Sequence, residues 1–303
     1  MKALPSTPLV KIDLSVLCAN YRRLSAASPN AEAAGVVKCN AYGLGLGPVA
    51  RALAIKENCK TFFVAHTKTA IALRSILTSV APDAEIYVFN GPSANEIDDY
   101  RRHRLTPILN TIDQAALWAS TCPDEPAVLH VDTGMNRLAL DGADLTAIHQ
   151  LDHLSIKMVM SHFACASTPG ALMLAQQKSA FDEIAKMFPG AKTSLASTGG
   201  TLIDPDYGYD MTRLGVGLYG VSPFDKPHDQ IKPVAQLMAP VLQIRSVKAG
   251  QSAGYNATHI FENDATLATI SIGYGDGYPR AGSNKAHVWL GGTRCPILSL
   301  IHI

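Results

Sequence analysis

The sequence has no stretch that approaches the roughly 18 consecutive apolar residues of a membrane-spanning helix, although 47% of its 303 residues are hydrophobic. Its first residues, MKALPSTP, contain no apolar core of the kind found in secretory signal peptides. These absences argue against a membrane protein and against a secreted one. We therefore expect a globular protein that is cytoplasmic and binds no membrane.

The sequence also has little net charge. It contains 26 Lys and Arg residues against 25 Asp and Glu residues, for a formal net charge of +1. No run of Lys or Arg is longer than two residues. Without a basic patch there is no electrostatic argument for nucleic acid as a partner.

Cysteine is scattered and forms no C-x-x-C pair, which argues against a disulfide framework and against a zinc site. We expect reduced thiols and no metal, and we assign Cys39 no catalytic role. The six cysteines are Cys18, Cys39, Cys59, Cys122, Cys165 and Cys295.

Short apolar runs rich in β-branched residues alternate with longer helical patterns along the first two thirds of the chain. Eight such units predict an α/β fold with an N-terminal (β/α)8 barrel; a doubly wound open sheet is the alternative, but no Gly-rich dinucleotide motif follows any strand. The predicted strands are Ala34–Val37, Thr61–Ala65, Glu85–Phe89, Leu105–Leu109, Ala127–Asp132, Ile156–Ser161, Thr193–Ser197 and Thr212–Val216. The predicted helices include Gly47–Ile55, Thr67–Leu77, Ala94–Arg102, Asp113–Ala119 and Ala171–Met187.

The pattern changes after Pro223, where β-rich runs alternate with Gly-containing turns and helical periodicity is absent. We therefore predict a barrel domain over residues 15–222 and an all-β domain over residues 234–298. Residues 1–14 contain a strand pattern that we expect to pair with the β domain, before Ser15 caps a helix that runs to Ser25.

Catalytic groups of an α/β barrel lie at the C-terminal ends of its strands, and polar residues are frequent there. Taken singly, a histidine here could be a core residue and an arginine could be ion-paired. Together they favour an anionic aromatic ligand: a lysine amine condenses with an aldehyde, hydroxyl groups and backbone amides hold a phosphate, and an arginine can bond a ring nitrogen. We infer pyridoxal phosphate. The residues are Lys38, His130, Asp132, Arg137, His162, Ser197, Thr198, Arg213, Gly215 and Gly217.

Five motifs resemble those of the alanine racemases in order and approximate spacing: VVKCNAYGLG, HVDTGMNRLAL, MSHFA, MTRLGVGLYG and ISIGYGDGYPR. The resemblance covers the chain to about Leu298. It implies a pyridoxal phosphate enzyme with a barrel and a C-terminal β domain, which interconverts L-alanine and D-alanine as a homodimer and supplies D-alanine for peptidoglycan.

The resemblance also implies residue roles. Lys38 would bind the cofactor through a Schiff base and act as one base, and Tyr274 would be the second base, reaching the other subunit's site. Arg213 would bond the pyridine nitrogen, His162 would line the ring, and Arg137 would bind the substrate carboxylate. The phosphate would be held by Tyr42, Ser197, Thr198, Gly215 and Val216.

Some features depart from the family. Many members carry a carbamylated lysine where this chain has His130, so we expect another group, His130 itself or a bound anion, to orient Arg137. Leu44 replaces a frequent histidine, and we expect little effect. Family chains continue past Leu298, so we expect a truncated β domain with a non-native tail over residues 299–303.

The sequence leaves alternative functions open. A broad-specificity amino-acid racemase would share the whole pattern. A non-catalytic pyridoxal-phosphate-binding homeostasis protein would share the barrel and the lysine, but it lacks the β domain that carries GYGDGYPR.

Overall fold

The computed structural model describes residues 7–298. The residues at positions 1–6 and 299–303 lie outside the described range, and with them the expected non-native tail. The described residues form two compact units: residues 12–235 make up one, and residues 7–11 with 236–298 make up the other.

The larger unit contains eight parallel strands whose spatial order follows the chain, which confirms the predicted barrel. The last two strands meet irregularly, through a single bridge between Ser197 and Arg213, so the barrel is nearly closed. Its strands are β2 (Glu32–Val36), β3 (Thr61–Val64), β4 (Glu85–Val88), β5 (Thr106–Leu109), β6 (Pro126–His130), β7 (Ser155–Met160), β8 (Lys192–Ser194) and β9 (Met211–Leu214).

Helices surround these strands, because successive strand residues point to opposite faces and the outward ones need a cover. Ala34 and Val36 point into the barrel beside Phe63, while Val37 packs in the layer between strands and helices. The helices are α1 (Leu14–Ala26), α3 (Leu46–Glu57), α4 (Thr67–Leu77), α5 (Ile97–Arg102), α6 (Ile112–Thr121), α7 (Gly142–Ile148), α8 (Leu172–Lys186) and α9 (Thr198–Ile203), and the label α2 is given to a short left-handed turn, Lys38–Tyr42.

The predicted start of α1 is wrong. Asp13, not Ser15, is the N-cap, because its Oδ1 atom accepts hydrogen bonds from the Ser15 and Val16 amides at 2.9 and 3.2 Å. An aspartate carboxylate is a strong acceptor for the unpaired amides of a first turn.

The predicted helix over residues 94–102 begins as a 3₁₀ turn, Ala94–Glu96, before α5.

The smaller unit is built from short β pairs. Strands β1 (Leu9–Ile12) and β10 (Ala235–Met238) pair, so a strand does form within the segment where the sequence pattern placed one. The remaining antiparallel pairs are β11 (Val241–Val247) with β14 (Ala265–Ile270), β12 (Ser252–Ala253) with β13 (His259–Ile260), and β15 (His287–Leu290) with β16 (Thr293–Pro296).

Over residues 7–298, no helix combines the length and the apolar character that crossing a membrane requires. The same part of the chain holds no cluster of three or more His, Cys, Asp or Glu residues arranged to bind a metal ion.

Candidate functional site

The site lies at the C-terminal ends of the barrel strands, where the parallel sheet brings together residues that are distant in sequence. Lys38 follows β2, His130 ends β6, His162 follows β7 and Arg213 lies in β9. The Lys38 Nζ atom lies 5.9 Å from the centroid of the Phe89 ring, which follows β4. A lysine in this position has its ammonium over an aromatic face at the mouth of the barrel.

The turn after Lys38 has an unusual backbone. Four consecutive residues from Cys39 to Tyr42 have φ between 53° and 54°, the left-handed region that side-chain-bearing residues avoid. Asn40 supports the turn, since its Oδ1 atom accepts a hydrogen bond from the Leu46 amide at 2.9 Å. Such strain persists only where the surroundings enforce it, and it is common at functional sites.

This turn places Tyr42 beside the end of β9. The Tyr42 ring stacks on Tyr219 with 4.4 Å between centroids and 22° between planes, and Tyr219 donates to the Val36 carbonyl at 2.8 Å. A Cβ atom built on Gly215 would lie 2.8 Å from the Tyr42 hydroxyl oxygen, so the glycine allows this approach. Burial, and then the charge of Cys39, raises the pKa of Tyr42, so its hydroxyl stays protonated as a donor.

Thr198 lies in the same corner and is 1% exposed. Its Oγ1 atom accepts hydrogen bonds from the amides of Gly215 and Gly217 at 3.2 and 3.3 Å. Ser197 is the residue before α9, and Val216 begins the 3₁₀ turn Val216–Tyr219. The five residues expected to hold a phosphate therefore converge on one corner of the barrel mouth.

Arg213 is 2% exposed and its guanidinium is held by uncharged groups. Its Nη1 donates to the Ser194 hydroxyl at 2.5 Å. Its Nη2 donates to the carbonyl oxygens of Ser161 and Leu195, the latter at 3.1 Å. Within residues 7–298 no carboxylate pairs with this guanidinium and no acceptor contacts its Nε–H. Burial lowers the pKa of Arg213 to about 9, so the group remains a cation at neutral pH.

Two neutral histidines flank this cation. The Nδ1 atom of His162 lies 3.2 Å from Arg213 Nη2 and accepts its hydrogen bond. Burial, and then the Arg213 and Arg137 guanidinium groups, lower the pKa values of both His162 and His130 to about 3. His130 bonds Asn110, through Nδ1 and Oδ1 at 2.9 Å.

Arg137 lies in a segment that we call the arginine loop, residues 132–137. Asp132 holds this loop: its Oδ1 accepts from the amides of Gly134 and Met135 at 2.7 and 2.8 Å, and its Oδ2 accepts from the Asn136 amide at 2.8 Å. Arg137 itself is exposed and makes no hydrogen bond within the described part of the chain. The Asp132 carboxylate thus orders the backbone of the loop that carries Arg137.

Sequence analysis missed Gln177 of α8, which is 0% exposed. It hydrogen-bonds the arginine loop and a second segment that we call the histidine loop, residues 161–166. The spacing of Leu174, Gln177 and Phe181 places them on one buried face of the helix. A glutamine on such a face needs hydrogen-bond partners, and this pattern in the sequence could have identified it.

Tyr274 belongs to the smaller unit. It begins the 3₁₀ turn Tyr274–Asp276, is 48% exposed, and its ring lies 6.0 Å from the Arg280 Cζ atom. The Asp276 carboxylate accepts from the Gly273 amide at 2.9 Å and thereby fixes the turn.

The barrel cluster fits pyridoxal phosphate. Three cations, Lys38, Arg137 and Arg213, meet at its mouth, while the one carboxylate in the cluster, Asp132, is bound to three amides. A buried guanidinium without a counter-ion is costly, and its unused Nε–H is a donor for a ring nitrogen. The hydroxyl groups of Tyr42 and Thr198 provide neutral donors for a phosphate beside Gly215.

The chain is similar to proteins of one known family. The family model for the N-terminal domain of alanine racemase matches residues 12–223, and the model for the C-terminal domain of alanine racemase matches residues 234–302. An alanine racemase of Methylobacterium nodulans is 41% identical, over 96% of this chain and 79% of the relative. An alanine racemase of Jannaschia sp. is also 41% identical, over 98% of this chain and 83% of the relative.

Solved structures of similar proteins superpose well. The alanine racemase of Bartonella henselae, with covalently bound pyridoxal phosphate, has a TM-score of 0.86 at 35% identity, covering 98% of this chain and 84% of that one. The biosynthetic alanine racemase of Pseudomonas aeruginosa has a TM-score of 0.85 at 31% identity, covering 97% and 85%.

Proposed function

This chain belongs to the alanine racemase family, and we propose that it interconverts L-alanine and D-alanine with pyridoxal phosphate held at the barrel mouth. One observation supports this most directly: Arg213 is a fully buried cation that no carboxylate among residues 7–298 balances, beside a strand-end lysine. A site built in this way is suited to an anionic ring compound.

Each residue of the cluster has a distinct task in holding the cofactor. Lys38 would bind it covalently through Nζ, and Arg213 would donate its Nε–H to the ring nitrogen. Because the pKa of Arg213 is lowered only to about 9, the donor keeps its proton at neutral pH. His162 would line the ring, and the phosphate would be held by Tyr42, Ser197, Thr198, Gly215 and Val216. When bound, pyridoxal phosphate supplies an electrophilic carbonyl and a conjugated ring that delocalises charge from the substrate α-carbon.

Racemisation requires two bases, because the α-proton leaves from one face of the substrate and a proton returns to the other. A single positioned side chain does not reach both faces. We assign Lys38 Nζ to one face and the Tyr274 hydroxyl to the other. Arg137, at the end of the ordered arginine loop, would bind the substrate carboxylate.

The position of the second base, Tyr274, in the chain has a consequence for the oligomeric state of the protein. Tyr274 belongs to the smaller unit, and we propose that it serves the site of a second copy in a homodimer. The D-alanine produced would be used in peptidoglycan synthesis, with the enzyme in the cytoplasm. The β unit and its family match support a racemase over the barrel-only homeostasis protein.

The test starts with purified protein mixed with pyridoxal phosphate. Borohydride reduction followed by peptide mapping should locate the cofactor on Lys38, and L-alanine should be converted to D-alanine, as measured with a D-amino-acid oxidase assay. Lys38→Ala should abolish both results, while Lys68→Ala, an exposed lysine of α4, should change neither. Labelling of another lysine would contradict the assignment of the site.

Substrate range is measured in the same assay. Alanine, serine and lysine are compared by kcat/KM, and a clear preference for alanine is expected. Equal values for all three would identify a broad-specificity racemase.

A further inference from the structure

Gln177 makes hydrogen bonds to backbone groups that can act only as a donor or only as an acceptor, and these bonds fix the orientation of its side-chain amide. Its Oε1 atom accepts from the Ala164 amide at 2.8 Å, and a backbone N–H can only donate. Its Nε2 atom donates to the His162 carbonyl at 3.0 Å, and a carbonyl can only accept. The second Nε2 proton faces the Thr133 hydroxyl oxygen at 3.2 Å. A buried amide with all three polar contacts made is rigid, because any rotation leaves a polar group unpaired.

These contacts join two separate loops. Thr133 belongs to the arginine loop, and its hydroxyl also lies 2.8 Å from the Ser161 hydroxyl of the histidine loop. The arginine loop packs directly on α8 as well: a Cβ atom built on Gly134 would lie 3.2 Å from Met173 Cε and 3.8 Å from Gln177 Cγ. Gln177 therefore ties both loops to one helix.

Each loop carries groups of the candidate site. The arginine loop ends in Arg137. The histidine loop supplies the Ser161 carbonyl and the His162 ring, both of which contact Nη2 of Arg213. A change in the spacing of the loops would move Arg137 relative to Arg213.

We propose that Gln177 is a positioning residue for the racemase site: through Thr133 and the histidine-loop backbone it sets the spacing between Arg137 and Arg213. This rests on the proposed function, because the spacing is that of a substrate carboxylate from a ring nitrogen. Gln177 touches neither ligand itself and acts through the two loops.

Gln177→Glu tests the proposal with little change in shape. The introduced carboxylate keeps an acceptor for the Ala164 amide but loses both donors and places an oxygen against the His162 carbonyl. The matched control is Gln176→Glu, which adds the same charge on the solvent side of α8. Thr133→Val removes the hydroxyl contacts of the arginine loop with Gln177 and with Ser161, and Thr133→Ser keeps them.

We expect Gln177→Glu to raise both the KM for alanine and the Kd for pyridoxal phosphate at least about fivefold. Thr133→Val should raise the KM by a similar factor and leave the cofactor Kd within about twofold, because the His162 and Ala164 backbone groups keep their bonds to Gln177. Thr133→Ser and Gln176→Glu should leave both constants within about twofold of those of the unmodified protein.

Hydrogen–deuterium exchange separates this proposal from the function itself. In Gln177→Glu and Thr133→Val, the amides of Gly134, Met135 and Asn136 should exchange faster, whether or not the unmodified protein racemises alanine. Unchanged exchange and unchanged KM in both variants, with only a lower melting temperature, would overturn the positioning role. Absence of racemisation in the unmodified protein would instead count against the proposed function.

Discussion

The Nδ1 atom of His130 lies 2.9 Å from the Oδ1 atom of Asn110, and both side chains are buried. Asn110 uses its amide protons on the carbonyl oxygens of Phe89 and Ile108, at 2.9 and 3.0 Å. Its Oδ1 atom is therefore an acceptor, and the proton lies on His130 Nδ1. This leaves Nε2 of His130 with a lone pair in a cluster rich in cations. A neutral imidazole avoids adding a further positive charge beside Arg213 and Arg137.

Acid should destabilise the protein through this histidine and its neighbour. The pKa values of His130 and His162 are lowered to about 3 in the fold, against 6.5 ordinarily. Between these values the unfolded chain binds more protons, so stability is full above pH 6.5 and falls as the pH decreases towards 3. From pH 7 to pH 5 each histidine should cost about 1–2 kcal/mol of unfolding free energy.

Urea unfolding at pH 7 and pH 5 measures this effect. His162→Gln should lose less stability over this interval than the unmodified protein, because one titrating group is gone. His149→Gln, at an exposed position of the barrel unit, should keep the full dependence. An equal loss in all three proteins would contradict the assignment.

Arg213→Lys should weaken cofactor binding about tenfold or more. A lysine ammonium cannot reach Ser194, Ser161 and Leu195 together, and it has no counterpart of the Nε–H. Equilibrium dialysis against pyridoxal phosphate measures the effect directly. Arg51→Lys, on the exposed face of α3, is the control and should bind the cofactor as the unmodified protein does. Unchanged affinity in Arg213→Lys would remove this residue from the site.

Asp132→Asn should raise the KM for alanine about fivefold while kcat changes less. An amide replaces one of the two acceptor oxygens that hold the arginine loop, so one of the Gly134, Met135 or Asn136 amides loses its partner. Steady-state kinetics in both directions separate KM from kcat. Asp98→Asn, at an exposed position of α5, controls for the loss of one charge. A KM equal to that of the control would show that Arg137 is ordered by other contacts.

Gly199→Ala should destabilise the barrel unit by about 1–3 kcal/mol. An added Cβ atom would lie 2.4 Å from the Ala166 carbonyl oxygen, and backbone must move to relieve that contact. The matched control is Gly142→Ala, where a Cβ atom meets nothing within 4 Å and should change stability little. Urea midpoints of the two variants give the comparison. Similar midpoints would show that the backbone at Ala166 moves away from the added Cβ atom at little cost in stability.

Tyr274→Phe should leave cofactor binding intact and reduce turnover strongly, because only the hydroxyl that we propose as the second base is lost. We assign Tyr274 to the L face, so proton exchange from L-alanine in deuterium oxide should decrease more than exchange from D-alanine. Tyr255→Phe, another exposed tyrosine of the same unit, is the control. Wild-type exchange from both enantiomers would exclude Tyr274 as a base.

The sequence by itself determined the strands of the barrel and the residues at their ends. Alternation of apolar residues is a local property, so each of the eight strands could be read within a few positions, and Lys38 and Arg213 stood out as charged residues next to buried runs. The start of α1 was misjudged by two residues, since Asp13 and Ser15 are both good N-caps and only the geometry of the first turn selects between them.

Only the tertiary structure decided how the strand-end residues are held. His130 and Asn110 are 20 residues apart, and Gln177 and Thr133 are 44 apart, so no local pattern pairs them. The left-handed turn from Cys39 to Tyr42 is likewise imposed by its surroundings, because Cys39, Ala41 and Tyr42 avoid that conformation and only Asn40 tolerates it. Hydrogen bonds between distant segments are chosen when the barrel assembles, since the packing of helices on strands brings their donors and acceptors within reach of one another.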